Sequence, residues 1–150
     1  QADLVRIPIE RFTAHPTREN WVMLADQPPR TVDKLDGNID GLEWDPDRST
    51  LKIRGWAVMN SWKANRRLIL FIPGGGSVSE AMPIARYDVA RHLNLGDRFV
   101  KSGFIIRVAV KAGHSKPNYI CAWSEDEEFG RRLLKVNDAP PNEACGPPQR

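Results

Sequence analysis

The sequence has few residues of the kinds that bind metal ions. It contains two cysteines, Cys121 and Cys145, and three histidines, His15, His92 and His114. A structural zinc site needs four Cys or His ligands at short spacings, and these five residues are scattered without a CxxC pair. We therefore predict no metal site and no cofactor.

Long hydrophobic runs are also missing. The longest clean run, Leu68 to Ile72, is far shorter than the ~18 residues that cross a membrane as a helix. The chain begins at Gln1 without Met or a basic-then-apolar leader, as expected of a processed chain or an excised domain. Its 150 residues, 41% hydrophobic and 27% charged, are typical of one globular domain and exclude a disordered tail.

Positive charge is concentrated in the middle of the chain. The formal net charge is only +3, yet residues 52–116 hold twelve Lys or Arg against three Asp or Glu. The flanking residues 37–51 and 117–150 carry more acidic than basic side chains. Such a basic middle can be an ordinary solvated surface, partly neutralised by the flanks, or can attract an anionic partner.

The two cysteines are candidates for a disulfide. Cys145 lies in a Pro-rich tail, residues 137–150, which has little reason to pack on the domain unless something holds it. A Cys121–Cys145 bond would close a loop of about 25 residues and contribute ~3 kcal/mol. It would also indicate an oxidising compartment. The alternative is two unrelated free thiols.

Short extended runs separated by turn signals dominate the sequence from Gly37 onward. Apolar residues alternate with others in residues 51–57 and again in 103–110. Residues 67–73 are almost continuously apolar, as in a central strand. Seven such runs and hardly any helix predict an all-β, immunoglobulin-like antiparallel β-sandwich of about seven to nine strands.

Two connections between these runs have distinctive sequences. Gly74-Gly75-Gly76 lacks the Lys and the following helix of a phosphate loop, and predicts a hairpin turn instead. Asp88 can cap one short helical turn, and Arg86 can pair with its carboxylate. We therefore predict structural roles for Arg86 and Asp88.

Composition divides the chain into three parts. Residues 1–36 are interrupted by prolines and predict a connector with an edge strand or two. Residues 37–136 predict the β-sandwich domain, and residues 137–150 a tail that the disulfide can tie back.

Patterns for catalysis are weak. No GxSxG elbow accompanies the Ser, His and acidic residues. Asp40, Asp45 and Asp47 lie around a predicted turn, where Asp is expected for backbone reasons, although the same cluster could bind Ca²⁺. No RNP-type signature is present. We therefore predict no catalytic residues and do not expect a nucleic acid partner.

A tryptophan in a polar loop is the best candidate for ligand contact. Trp62 lies among polar and basic residues, where an indole has no obvious structural need. With Lys63, Arg66 and Arg67 it predicts a site for an anionic glycan or a lipid headgroup, because aromatic faces pack on sugar rings and Arg binds carboxylate or phosphate bidentately. The alternative is a loop folded back over the end of the domain. Trp56, inside a strand, is predicted to be a structural core residue.

Four short motifs occur in a fixed order. They are Gly37-Asn38-Ile39-Asp40, Leu51-Lys52-Ile53-Arg54-Gly55-Trp56-Ala57, Arg86-Tyr87-Asp88-Val89 and Gly103-Phe104. This order resembles a bacterial accessory β-sandwich domain with the pattern G-x-[IV]-D, L-x-[IV]-x-G-W-A, R-P-D-V and G-F, appended to surface-polysaccharide glycosyltransferases and polytopic envelope proteins. The likeness covers residues 37–136, with Tyr87 in place of the usual proline. It implies no active-site residues.

These observations lead to a functional hypothesis. We expect a non-catalytic accessory domain of a bacterial envelope protein, which binds or positions a surface polysaccharide or its lipid-linked precursor. One alternative is a structural or protein-docking module that orients an attached membrane glycosyltransferase, and another is a small hydrolase or transferase. The expected location is the periplasm, where a parent membrane protein would attach the domain to the membrane.

Overall fold

The computed structural model describes residues 14–28, 34–59, 66–92, 97–111, 115–126 and 130–145. The strands are β1 (Ala14–Pro16), β2 (Val22–Ala25), β3 (Lys34–Asp45), β4 (Thr50–Trp56), β5 (Arg67–Phe71), β6 (Gly76–Ile84), β7 (Gly103–Val110), β8 (Cys121–Asp126) and β9 (Gly130–Val136). One α-helix, α1 (Tyr87–His92), and two short 3-10 turns complete the described part. The all-β prediction with one short helical turn is confirmed.

All nine strands belong to one curled sheet, a half-barrel with a sandwich-like interior. Their order is β1-β2-β5-β8-β9-β3-β4-β7-β6. Most neighbours are antiparallel, as predicted, but β2 pairs with β5 and β3 pairs with β9 in parallel. Strands β1 and β2, from the predicted connector, form one edge of this sheet.

The prediction of a hairpin at Gly74-Gly75-Gly76 is wrong, because β5 and β6 are not paired. The turn itself forms, with the amide of Gly75 donating to the carbonyl of Ile72 at 2.9 Å. However, β5 lies between β2 and β8, whereas β6 lies at the far edge beside β7. Local sequence specifies a change of direction but not which strands pair, so the glycines here connect two distant parts of the sheet.

The main core fills the inner face of the curled sheet. Residues of most strands contribute to it, among them Ile39, Leu51, Ile53, Leu68, Leu70, Phe104, Ile106, Val108 and Leu134. A smaller cluster on the opposite face of β5, β8 and β9 contains Ile69, Cys121, Trp123, Leu133 and Cys145. Strand β5 is therefore covered on both faces, which explains its continuous apolar sequence.

The predicted disulfide between Cys121 and Cys145 is confirmed. The two Cα atoms lie 5.5 Å apart, and both residues are fully buried. The bond holds Cys145 against the outer face of β8, where it completes the smaller cluster. A buried disulfide indicates an oxidising environment outside the cytoplasm. Among the described residues, no helix has the length and apolar character to cross a membrane.

The two halves of the sheet thus differ in how they are covered. The outer face of β5, β8 and β9 is packed under the smaller cluster. On the outer face of β3, β4, β6 and β7, charged side chains such as Glu43, Arg54 and Arg107 are exposed. This open face is where the fold can present a binding surface.

Candidate functional site

The predicted loop site is described only at its end. Trp62 and Lys63 lie outside the described residues, so their role stays a prediction. Arg66 is 8% exposed, and its Nε lies 3.9 Å from Oδ2 of Asp126. Arg67 is half-buried, and its Nη1 donates to Oε1 of Glu125 at 3.1 Å. Carboxylates within the protein therefore already engage both guanidinium groups.

Two arginines that the sequence analysis did not single out lie beside this pair. Arg131 and Arg132 in β9 are both buried. Nη2 of Arg131 donates to Oε2 of Glu125 at 2.8 Å. Glu125 therefore lies between Arg67 and Arg131 on three adjacent strands, in direct cross-strand register. We interpret this Arg–Glu–Arg ladder as structural, since its ion pairs join three strands, Arg131 is buried, and the guanidinium of Arg67, although 38% of that side chain is exposed, is engaged by Glu125.

Arg86 connects two of the motifs. Its Nε and Nη2 donate to Oδ1 and Oδ2 of Asp88, each at 3.0 Å, and its Nη1 donates to Oδ2 of Asp40 at 2.8 Å. The hydrogen bonds from Arg86 lower the pKa of Asp88 to about 2. The bonds to Asp88 and then to Asp40 raise the pKa of Arg86. The helix begins at Tyr87, so Asp88 lies in its first turn instead of capping it from outside.

The other motif residues pack around this ion pair. Asn38 donates from Nδ2 to Oδ1 of Asp40 at 2.6 Å. A side chain at Gly103 would overlap that of Arg86, and a Cβ at Gly55 would lie 2.9 Å from Cζ of Phe104. The four motifs therefore meet in one place, where close packing and ion pairing account for their glycine and charged residues.

The tryptophans differ in their burial. Trp56 is half-buried and is not a core residue, because Leu51 and Ile53 face the core and the even-numbered positions of β4 face away from it. Trp123 is fully buried in the smaller cluster. Trp44 is half-buried and packs against the main core.

An open groove of about 480 Å³ lies at one end of the exposed face. It is lined by Glu43, Trp44, Asp45, Arg48, Thr50, Lys52, Ser79 and Arg107. Sheet register arranges charged residues across it, because Glu43 is opposite Lys52 and Lys52 is opposite Arg107. Arg107 is in turn opposite Glu80 on the edge strand. Four strands thus contribute to one row.

One cation of this row, Arg107, and one beside it, Arg54, are paired within the protein. Nε of Arg107 donates to Oε1 of Glu80 at 2.6 Å. Nε of Arg54, two residues after Lys52 in β4, lies 3.7 Å from Oε2 of Glu43. Both pairs are exposed, so each contributes little to stability, but together they neutralise two of the carboxylates near the groove.

Among the described residues, the other charged side chains of the groove, those of Asp45, Arg48 and Lys52, are not in ion pairs. Oδ1 of Asp45 accepts from the backbone amides of Asp47 and Arg48, at 3.0 and 3.3 Å. This carboxylate therefore stabilises the turn between β3 and β4, as the sequence predicts. The side chains of Arg48 and Lys52 make no hydrogen bond or ion pair within the described part of the chain. The groove therefore presents two uncommitted cations.

The described residues place no group of three or more His, Cys, Asp or Glu where it could hold a metal ion. The groove is open, and its lining consists of charged side chains, two hydroxyls and the indole of Trp44, most of them on strands. Such a surface suits the binding of a polar ligand more than its chemical conversion, which requires enclosed and converging reactive groups.

Comparison of the chain with protein-family models, curated proteins and solved structures finds no match.

Proposed function

We propose that this chain is a non-catalytic accessory domain of a bacterial envelope protein. It binds or positions a surface polysaccharide or its lipid-linked precursor in the periplasm, where a parent membrane protein attaches it to the membrane. The observation that best supports this proposal is the open groove on the exposed face of β3, β4, β6 and β7.

The shape of the groove favours a polymer over a small molecule. A site for a small ligand usually encloses most of the ligand surface, whereas this groove is open to solvent. A polysaccharide needs only a few sugar units in contact, and the rest of the polymer can extend into solvent. Because β-strands hold the lining residues, the surface is rigid and little ordering is required on binding.

The groove also offers the hydrogen-bonding groups that sugars require. The Thr50 hydroxyl donates to the carbonyl of Arg48 at 3.0 Å, and the Ser79 hydroxyl donates to the carbonyl of Arg107 at 3.3 Å. Both hydroxyl oxygens therefore remain able to accept a hydrogen bond from a sugar hydroxyl. Trp62 and Lys63 in the predicted loop are a second proposed contact.

A titration of the chain with neutral and anionic bacterial glycans, followed by tryptophan fluorescence, tests this function. We expect saturable binding that persists at physiological salt. The variant Trp62→Ala tests the loop contact, and weaker binding without loss of folding would support it. Binding that disappears at physiological salt would show only a nonspecific field. Absence of binding to any glycan would contradict the proposed function.

A protein-docking role is the second candidate, and one observation favours it. The large hydrophobic side chains exposed in the described residues are Met82, 43% exposed, and Tyr87, 63% exposed. Met82 belongs to the edge strand β6, and Tyr87 begins α1. Exposed apolar residues at a sheet edge are typical of protein contacts. If docking is the function, the unsubstituted chain should show no binding in glycan titrations. The double variant Met82→Ser with Tyr87→Ser should then abolish cross-linking to the parent membrane protein.

A further inference from the structure

We infer that the groove recognises an acidic unit of the polysaccharide, a sugar that carries a carboxylate or a phosphate, through Lys52 and Arg48. This inference rests on the proposed function and names its ligand class. It concerns different residues from the loop site predicted from the sequence.

The charge balance around the groove supports an anionic ligand. Four cations, Arg48, Lys52, Arg54 and Arg107, lie in or beside it, against three carboxylates, Glu43, Asp45 and Glu80. Each of these carboxylates interacts with a guanidinium group or with backbone amides. An incoming acid group therefore meets cations that are available and carboxylates that are already engaged.

The positions of the two available cations suit a single ligand. Lys52 lies in the middle of the charged row, between Glu43 and Arg107. Arg48 belongs to the turn between β3 and β4, two residues before Thr50, which also lines the groove. A ligand acid group in the groove can receive charge-assisted hydrogen bonds from the lysine ammonium and the arginine guanidinium.

The hydroxyl groups distinguish an acidic sugar from a simple anion. Thr50 and Ser79 use their protons on backbone carbonyls, so toward the groove they act as acceptors. A fully deprotonated anion such as sulfate, which carries acceptors only, gains nothing from them. A sugar acid offers an anionic group to the cations and hydroxyl donors to Thr50 and Ser79, and therefore matches both sets.

Matched charge variants provide the test. Lys52→Gln and Arg48→Gln remove the two available cations from the groove. Lys116→Gln and Arg91→Gln remove one positive charge each from exposed side chains that are outside the groove lining and make no hydrogen bond or ion pair within the described residues. Lys52→Gln is matched with Lys116→Gln, and Arg48→Gln with Arg91→Gln, so both variants of a pair change the net charge equally. A difference in affinity between the two variants of a pair therefore reports a local contact and not the overall field.

The probes are oligogalacturonate, which carries carboxylates, a phosphomannan oligosaccharide, which carries phosphates, neutral dextran and single-stranded DNA. Calorimetry at physiological salt gives each affinity, and thermal unfolding verifies that each variant is folded. We expect at least one acidic oligosaccharide to bind about tenfold more tightly than dextran or DNA. Lys52→Gln and Arg48→Gln should each weaken that binding by about five- to tenfold, and their matched controls by less than twofold.

The two acidic probes identify the acid group that the groove binds. Tighter binding of oligogalacturonate assigns a carboxylate, and tighter binding of the phosphomannan oligosaccharide assigns a phosphate. Equal binding of dextran, or glycan binding that Trp62→Ala removes and Lys52→Gln leaves intact, would overturn the inference and leave the proposed function standing. DNA binding of equal strength, weakened equally by all four variants, would show a nonspecific polyanion surface and overturn it too. No binding of any glycan would contradict the proposed function itself.

Discussion

At the scale of single residues, Arg86 explains why the motifs occur together. Its guanidinium binds both carboxylate oxygens of Asp88 and one of Asp40, while Gly103 leaves room for its side chain. The sequence predicts the Arg86–Asp88 pair, because the two residues are two positions apart. It does not predict Asp40 as the third member, because 46 residues separate Asp40 from Arg86 and only sheet pairing brings them together.

The pH dependence of stability should report this ion pair. The pKa of Asp88 is lowered from 3.8 to about 2 by Arg86, so the native state binds this proton less readily than the unfolded chain does. Its stabilising contribution is therefore complete above pH 4 and is lost as the pH falls toward 2. Asp88→Asn should lower the free energy of unfolding at pH 7 by no more than about 1 kcal/mol, because solvent screens this exposed group.

Urea unfolding between pH 2 and 7 provides the measurement. Between pH 4 and 2 the free energy of unfolding of Asp88→Asn should fall by less than that of the unsubstituted chain. Asp47→Asn is the matched control, since its exposed carboxylate has no side-chain partner within the described residues. Identical pH profiles for the parent and Asp88→Asn would refute the role of the pair.

At the scale of elements, cross-strand charges have different roles on the two halves of the sheet. Glu125 links β5, β8 and β9 through Arg67 and Arg131, and Arg131 is only 2% exposed. Glu80 pairs with Arg107 on the open face, where both side chains are 44% exposed. The same pair of residue types is therefore structural in one place and solvated in the other, and burial decides which.

Replacement of the two carboxylates should show this difference. Glu125→Ala removes an acceptor from the buried Arg131 and should lower the free energy of unfolding by about 3 kcal/mol. Glu80→Ala, the matched control, should change it by less than about 1 kcal/mol because its pair is exposed. Urea unfolding at neutral pH compares the two, and similar small effects would contradict a structural role for the Glu125 ladder.

At the scale of the whole molecule, one covalent bond attaches the C-terminal region to the sheet. The disulfide joins Cys121 of β8 to Cys145 across a separation of 24 residues. It buries both residues in the smaller cluster with Trp123 and Leu133. This cluster covers the outer face of β5, β8 and β9. The bond therefore helps to keep that half of the sheet covered, while the outer face of the other half stays open.

Removal of this bond should destabilise the entire domain. We expect Cys121→Ala with Cys145→Ala to lower the free energy of unfolding by ~3 kcal/mol, because the unfolded chain gains loop freedom. Reduction of the parent chain should have a similar effect, whereas reductant should not alter the double variant. An unchanged urea midpoint in the double variant would show that apolar packing alone holds the tail in place.

Local properties of this protein follow from the order of its residues. Alternation in residues 51–57 predicts that Leu51 and Ile53 share a buried face, and the continuous apolar run of residues 67–73 indicates a central strand. An isolated cysteine in a Pro-rich tail was enough to predict the disulfide. Each of these inferences depends on neighbours along the chain, where side-chain periodicity and turn chemistry act directly.

Tertiary structure alone decided which strands pair, and with them the groove. Glu43, Lys52, Arg107 and Glu80 come from four strands, and nothing in their local sequences separates them from other exposed charged residues. The glycine turn shows the same limit, because it reverses the chain without selecting a partner for β6. Pairing depends on how the whole sheet buries its apolar face, so the row of charges that forms the candidate site exists only once the sheet is complete.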